Sequence, residues 1–299
     1  MAVIFHIGFP KTGTTWFQEK LFPSFINGVY IDKKTTNRYF NLSDVYEFDS
    51  LEIKLKLNFS RTTNYIFSSE GLTTPINNSR YYGEHSKTCA DKIKATFPNA
   101  KIIIFIRNQQ SMIPSAYSQY LKNGGVISFK KYLYTNEVFN FKQLCYHNII
   151  SYYDLLFGEE NVEIYLYEEF KKDPELFLKN MCSRFQLRFS MDNVDFASVN
   201  QSLRVGLMPI VRMFNMFHKN PLGRKRYIVS LPYADRFVEN FILPLNKFPI
   251  FGSHKTFSSL PSKRMTDYIF NCFHKSNNIL AKRVGYDKLK EFGYPLINI

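Results

Sequence analysis

Ile4-Phe5-His6-Ile7-Gly8-Phe9-Pro10-Lys11-Thr12-Gly13-Thr14-Thr15-Trp16 runs from a strand-like apolar segment through two glycines into a stretch with helical character. That order has a physical consequence. A buried strand, a tight turn and a helix N-terminus aim several free backbone N–H groups at one point, and the helix dipole adds partial positive charge there. Gly8 and Gly13 let the backbone approach a ligand without a Cβ in the way, Lys11 supplies a mobile positive charge, and Thr12, Thr14 and Thr15 supply hydroxyl donors. The predicted product is an anion cradle. Its spacing is not that of a nucleoside-triphosphatase loop, in which lysine directly follows the second glycine; here Lys11 lies between the two glycines and Thr14 follows Gly13.

Working outward, three runs are apolar throughout rather than alternating: Val3 to Ile7, Tyr65 to Phe67 and Ile102 to Ile106. Such runs suit strands covered on both faces. A fourth, Val162 to Tyr167, follows a helical stretch around Phe141 to Phe157 and precedes a helix that should begin at Pro174 with Asp173 as its cap. Strands alternating with helices predict an α/β fold with a parallel sheet. Ser262 to Arg283 has helical spacing and ends before Gly285, which predicts a packing helix, while Asn220 to Pro261 holds several Pro, Gly and Ser and reads as a loop-rich segment on the substrate side.

A chain of 299 residues with 45% hydrophobic content can bury one sizeable core, and a single domain over residues 1–299 is expected. Lys and Arg number 39 against 25 Asp and Glu, a formal charge of +14 that favours anionic partners without choosing among them. The densest basic cluster, Lys219 to Arg226, reads by default as a solvated face, so no nucleic-acid partner is expected. Cys89, Cys145, Cys182 and Cys272 are far apart and lack ligand-like spacing with histidine, as expected of reduced thiols and no metal site. No apolar run approaches the ~20 residues of a membrane span, and the strand-like segment begins at Val3, so a cytoplasmic protein is expected. The 30 Phe and 20 Tyr are read mainly as packing residues.

The heptad Pro10-Lys11-Thr12-Gly13-Thr14-Thr15-Trp16 resembles the 5′-phosphosulfate-binding loop of the sulfotransferases that use 3′-phosphoadenosine-5′-phosphosulfate (PAPS). The resemblance implies a P-loop NTPase-like three-layer α/β/α fold with a central parallel sheet, PAPS as sulfuryl donor and no metal. It also implies a second motif, a strand ending in Arg with a Ser eight residues later, both directed at the 3′-phosphate. Lys101 to Arg107 followed by Ser115 matches it. A guanidinium fork at that place would distinguish PAPS from ATP, because it can hold the extra phosphate in a bidentate arrangement. The segment departs from the family's commonest form in having Gln109 where a Pro often stands and Met112 where a further basic residue is frequent. Val162 to Pro174 resembles the family's strand and acidic turn, with a structural role for Glu168; Asn200 to Arg204 is similar to a late loop that closes over the nucleotide, which makes Arg204 a candidate phosphate contact.

Sulfuryl transfer needs in-line geometry, stabilisation of the leaving group and a base for the incoming hydroxyl. Lys11 is the candidate for the leaving-group charge. Glu70, which follows the strand at Tyr65, sits where parallel strands gather ligands and resembles the catalytic glutamate of carbohydrate sulfotransferases, so a sugar or polysaccharide hydroxyl is the expected acceptor. His85 is the reserve base, and His6 is expected to be a satisfied interior residue. The alternatives are a small-molecule or lipid acceptor, a P-loop kinase, and a non-catalytic binder of nucleic acid or acidic glycan. The kinase would need a Walker-type lysine and an acidic metal ligand after a second strand, where this chain has Arg107 and Asn108.

Overall fold

Five strands form one parallel sheet: β1 (Val3–His6), β2 (Val29–Ile31), β3 (Tyr65–Ser68), β4 (Lys101–Ile106) and β5 (Val162–Leu166), in the order β2-β3-β1-β4-β5. The structure is a computed structural model that describes residues 2–73, 83–190, 194–196, 202–217, 234–253 and 262–297. β1 is central, with Val3 opposite Tyr65 of β3 and Ile4 opposite Lys101 of β4. The chain fills one side of β1 with β2 and β3 and then crosses to the other side for β4 and β5. A crevice therefore opens at the carboxyl end of β1, where open α/β sheets bind ligands.

The unbroken apolar runs are explained by burial on two faces. Phe5, Phe67, Ile102 and Ile104 feed one core, while Ile4, Ile66, Ile103 and Phe105 feed a second with Trp16, Phe17, Phe177 and Met181. Alternate residues of each strand thus enter opposite layers, as the two-residue period of a strand requires, and the α/β/α layering follows. Aromatic rings pack through both layers; Phe5 stacks on Phe67 with centroids 4.5 Å apart and meets Phe40 edge-on at 5.1 Å.

The expected helices are present. Asp173 accepts a hydrogen bond from the Leu176 amide and caps the helix Pro174–Phe185, and the helix Lys263–Val284 ends at Gly285. The stretch expected to be helical from Phe141 breaks into a short turn, Phe141–Leu144, and the helix Tyr146–Phe157. β2 was not expected: three residues at the sheet edge, half-exposed, give too short a pattern to read. Within the segment expected to be loop-rich, residues 234–253 form short helical turns instead, with Pro244 and Pro249 opening two of them because proline is already set to a helical φ. Lys219 to Arg226 lies outside the described residues. Among the described residues no helix is long and apolar enough to cross a membrane, and all four cysteines are free thiols.

Candidate active site

The loop after β1 holds its shape by local chemistry. Phe9 donates its amide to the carbonyl of Phe105 at 2.9 Å, so the chain stays in register with β4 past the end of β1. It then turns through two left-handed residues, Lys11 (φ 69°) and Gly13 (φ 84°), before the helix starting at Thr14. Glycine adopts that conformation freely, whereas for lysine it costs on the order of 1 kcal/mol and marks a site held by its surroundings. The Thr12 hydroxyl donates back to the Phe9 carbonyl. Thr12 was expected to offer that hydroxyl to a ligand; here it staples the loop. Gly8 is required by space, since a Cβ there would stand 3.0 Å from Cβ of Phe105 and 3.1 Å from side-chain atoms of Thr12 and Thr14.

Arg107, at the end of β4, reaches across to this loop. Its Nη1 donates to the Lys11 carbonyl at 2.9 Å and its Nε to Oγ of Ser111 at 2.9 Å, while the guanidinium lies 4.7 Å from the centroid of the Tyr167 ring. The same ring would sit 3.2 Å from a Cβ at Gly13, so Tyr167 packs beneath both the loop and the arginine. Ser115, one turn beyond Ser111 on the helix Gln109–Lys122, is buried with its Oγ 3.5 Å from that of Ser202. The two expected anion-binding segments are joined side by side.

Their electrostatics are unbalanced. Burial, then the positive charges of Lys122 and Arg107, push the Lys11 ammonium down from its ordinary 10.5 to about 8, against a smaller pull from Glu70. Its Nζ has a long, 3.4 Å hydrogen bond to Oε1 of Gln119. Cations crowded together in a partly buried site make a place that an anion would relieve.

Glu70 opens a short turn directly after β3. Its Oε1 is in an ion pair with Lys33, and its Oε2 accepts from Nε2 of Gln18 at 3.1 Å. Burial raises its pKa, but the Lys33 charge and the hydrogen bonds from Lys33 and Gln18 more than offset that, and the carboxyl ends below its ordinary 4.5. Glu70 is thus ionised at neutral pH.

The sulfotransferase domain family matches residues 3–202, a span that includes the loop, Glu70 and Arg107. The chain belongs to the sulfotransferase family. Several solved sulfotransferases are similar to the chain at low identity. One from Alicyclobacillus acidocaldarius is 19% identical, with 72% of this chain and 90% of that chain covered and a TM-score of 0.49. Mouse sulfotransferase SULT7A1 complexed with PAP is 15% identical, over 97% and 88% of the two chains, with a TM-score of 0.48. The sulfotransferase domain from the curacin biosynthetic pathway is 12% identical, over 95% and 98%, with a TM-score of 0.40. Among curated proteins none is similar to the chain in sequence.

Two candidate residues of this sulfotransferase are engaged elsewhere. Arg204 donates from Nε to the Asn246 carbonyl at 2.8 Å and from Nη1 to the Gly252 carbonyl at 2.6 Å, so it pins the 234–253 segment rather than reaching the loop. Asn200 and Gln201 lie outside the described residues. His85, in the first turn of the helix Glu84–Thr96, has Nε2 2.8 Å from the Gly71 carbonyl, and so carries its proton on that nitrogen and steadies the turn after Glu70. It also borders a cavity of about 530 Å³ with Phe9, Thr73, Asn140, Lys142 and Tyr152. His6 is buried as expected, but Nδ1 lies 2.7 Å from Oγ of Ser68 while Nε2 has no hydrogen-bond partner among the described residues.

Sequence reasoning missed Gln18, Lys33, Ser111 and Tyr167. Tyr167 was within reach, because it follows β5 and a parallel sheet collects ligand residues at its carboxyl edge. Gln18 and Lys33 carried no motif. Glu168 has the structural role expected, accepting from the Asn108 amide at 2.9 Å and from the Tyr294 hydroxyl at 3.2 Å, with burial raising its pKa. Asn108 also donates to the Phe292 carbonyl, and Gln109, where the family often has Pro, exchanges hydrogen bonds with Asn277. The C-terminal segment therefore buttresses the strand end that carries Arg107.

Proposed function

We propose that this enzyme transfers a sulfuryl group from PAPS to a hydroxyl of a carbohydrate or polysaccharide acceptor, within one domain spanning residues 1–299. The observation that carries the donor site is the cation cluster itself, Lys11 beside Arg107 and Lys122 on a loop whose carbonyl Arg107 already grips. In this reading Pro10 to Trp16 wrap the 5′-phosphosulfate. Arg107 and Ser115 receive the 3′-phosphate, and Arg204 steadies the late segment beside them. Lys11 stabilises charge on the oxygen that bridges sulfur and phosphorus as that bond breaks; losing such a preorganised charge costs roughly a hundredfold to a thousandfold in rate.

Glu70 takes the proton of the attacking hydroxyl, with His85 the reserve. Lys33 keeps the carboxylate ionised, which is the state a base requires. A sugar acceptor is supported by the cavity beside the Glu70 turn, where amide side chains of Asn140 and Asn148 and the ring of Tyr152 mix hydrogen-bonding and flat apolar surface. A cytoplasmic location is supported by the four free thiols. The test is incubation with labelled PAPS and a panel of oligosaccharides, phenols and lipids, read by mass gain. Transfer to an oligosaccharide that Lys11→Ala and Glu70→Gln abolish is expected; transfer to phenols or lipids alone refutes the acceptor class, and no titration heat with adenosine 3′,5′-bisphosphate (PAP) refutes the donor.

A further inference from the structure

A chain of hydrogen bonds runs from the middle of the sheet to Glu70. Nε2 of Gln18 lies 3.1 Å from Oε2 of Glu70 and 3.1 Å from Oγ of Ser68, and Oγ of Ser68 lies 2.7 Å from Nδ1 of His6. The direction of the two Gln18 bonds follows from valence. A carboxylate only accepts, so the amide must turn its nitrogen toward Glu70. The second N–H of that nitrogen then goes to one lone pair of Ser68, whose hydroxyl keeps a second lone pair and its own proton, so that it can either give that proton to Nδ1 of His6 or accept one from it. The relay needs the first of these, with His6 protonated on Nε2, the nitrogen that has no hydrogen-bond partner among the described residues and lies among the rings of Phe17, Phe22 and Phe105.

Two features make the chain more than a packing accident. His6 is fully buried, and burial drives its pKa down to about 3 against a small opposing pull from Glu70, so it is neutral at any working pH. Gln18 lies in a wide turn, Phe17–Leu21, in which the Phe22 amide bonds the Phe17 carbonyl five residues back. Such turns re-aim side chains and concentrate at functional sites. This one continues the helix that begins in the phosphate loop, so donor-binding backbone and Gln18 belong to one rigid piece.

We propose that Gln18 is a positioning residue that aims the Glu70 carboxylate, and that His6, acting through Ser68, locks the Gln18 amide in the orientation that does so. The inference rests on Glu70 being the base. The other groups that act on Glu70 are Lys33 beside β2, Lys11 on the loop, Tyr30 of β2 and His6 itself.

The test uses the full chain with 13C-labelled glutamate carboxyls and 15N-labelled histidine, Glu70 being assigned from Glu70→Gln. Wild-type His6 is expected to show the neutral tautomer protonated on Nε2. The Glu70 titration midpoint should rise by roughly one pH unit in Gln18→Leu, since a hydrogen bond to the ionised form is lost. Ser68→Ala should raise it too, although Ser68 does not touch Glu70, and should add nothing in the Gln18→Leu background. A merely structural Ser68 would lower the melting temperature and leave the midpoint in place. A Glu70 midpoint unmoved in Gln18→Leu, or His6 protonated on Nδ1, overturns the relay alone. Undiminished sulfuryl transfer by Glu70→Gln overturns the base assignment and the relay's purpose with it.

Discussion

Replacing Lys11 by Met should make the protein more stable and less able to bind its donor. Methionine keeps the length of the apolar stem and removes the charge. The ammonium titrates at about 8 in the folded protein against an ordinary 10.5, so the unfolded chain holds the proton more tightly and charging Lys11 in the native state opposes folding. At about 1.4 kcal/mol for each pH unit, the depression sets a ceiling of about 3 kcal/mol. The long bond to Gln119 offsets little of it. Because the unfolded state binds the extra proton only between pH about 8 and 10.5, wild-type stability contributed by this site increases with pH through that window and the advantage of Met disappears above it. For a chain of this size about 2 °C accompanies each kcal/mol, so Lys11→Met should melt roughly 3 to 6 °C higher at pH 7 and level with wild type near pH 10.5. PAP should reverse the order: at a hundredfold excess over its dissociation constant a ligand adds about 2.7 kcal/mol to wild type, and the variant should lose most of that gain. Thermal unfolding at the two pH values, with and without PAP, measures all four quantities. A variant that melts below wild type at pH 7, or a gap that persists at high pH, would refute the electrostatic argument.

Two further outcomes follow from the site. Arg107→Lys removes the fork between Ser111 and the Lys11 carbonyl and the contact with Tyr167, and should weaken PAP roughly tenfold to a hundredfold by calorimetry while leaving adenosine 5′-monophosphate nearly unchanged; equal losses for both ligands would deny Arg107 its role at the 3′-phosphate. Gly8→Ala forces a methyl against Cβ of Phe105 and the side chains of Thr12 and Thr14, and should cost about 1 to 3 kcal/mol in urea denaturation together with PAP binding, whereas a wild-type midpoint would mean the loop has room to spare.

The loop between β1 and the following helix was legible because its geometry is local: glycine position, strand-to-helix order and a lysine in the turn are all properties of neighbours along the chain. Helix caps and doubly buried strands were legible for the same reason, as Asp173 and the run Lys101–Ile106 show. The hydrogen bond from Arg107 to the Lys11 carbonyl, 96 residues apart, was not anticipated, the family resemblance having put Arg107 only at the 3′-phosphate, and no pattern of residues announced Gln18, Lys33 or Tyr167. Arg204 shows the same limit, a candidate by position whose hydrogen bonds to two distant backbone carbonyls no local pattern announced.

What the sequence alone determined is the layered sheet and the turn from β1 into a helix, since apolar period and backbone freedom are fixed by residue type. What the tertiary structure decided is the state of each charged group. The low pKa of Lys11, the ionised Glu70 and the neutral His6 arise from desolvation and from charges that distant segments bring within a few ångströms. Those distances exist only once β1, β3 and β4 lie side by side.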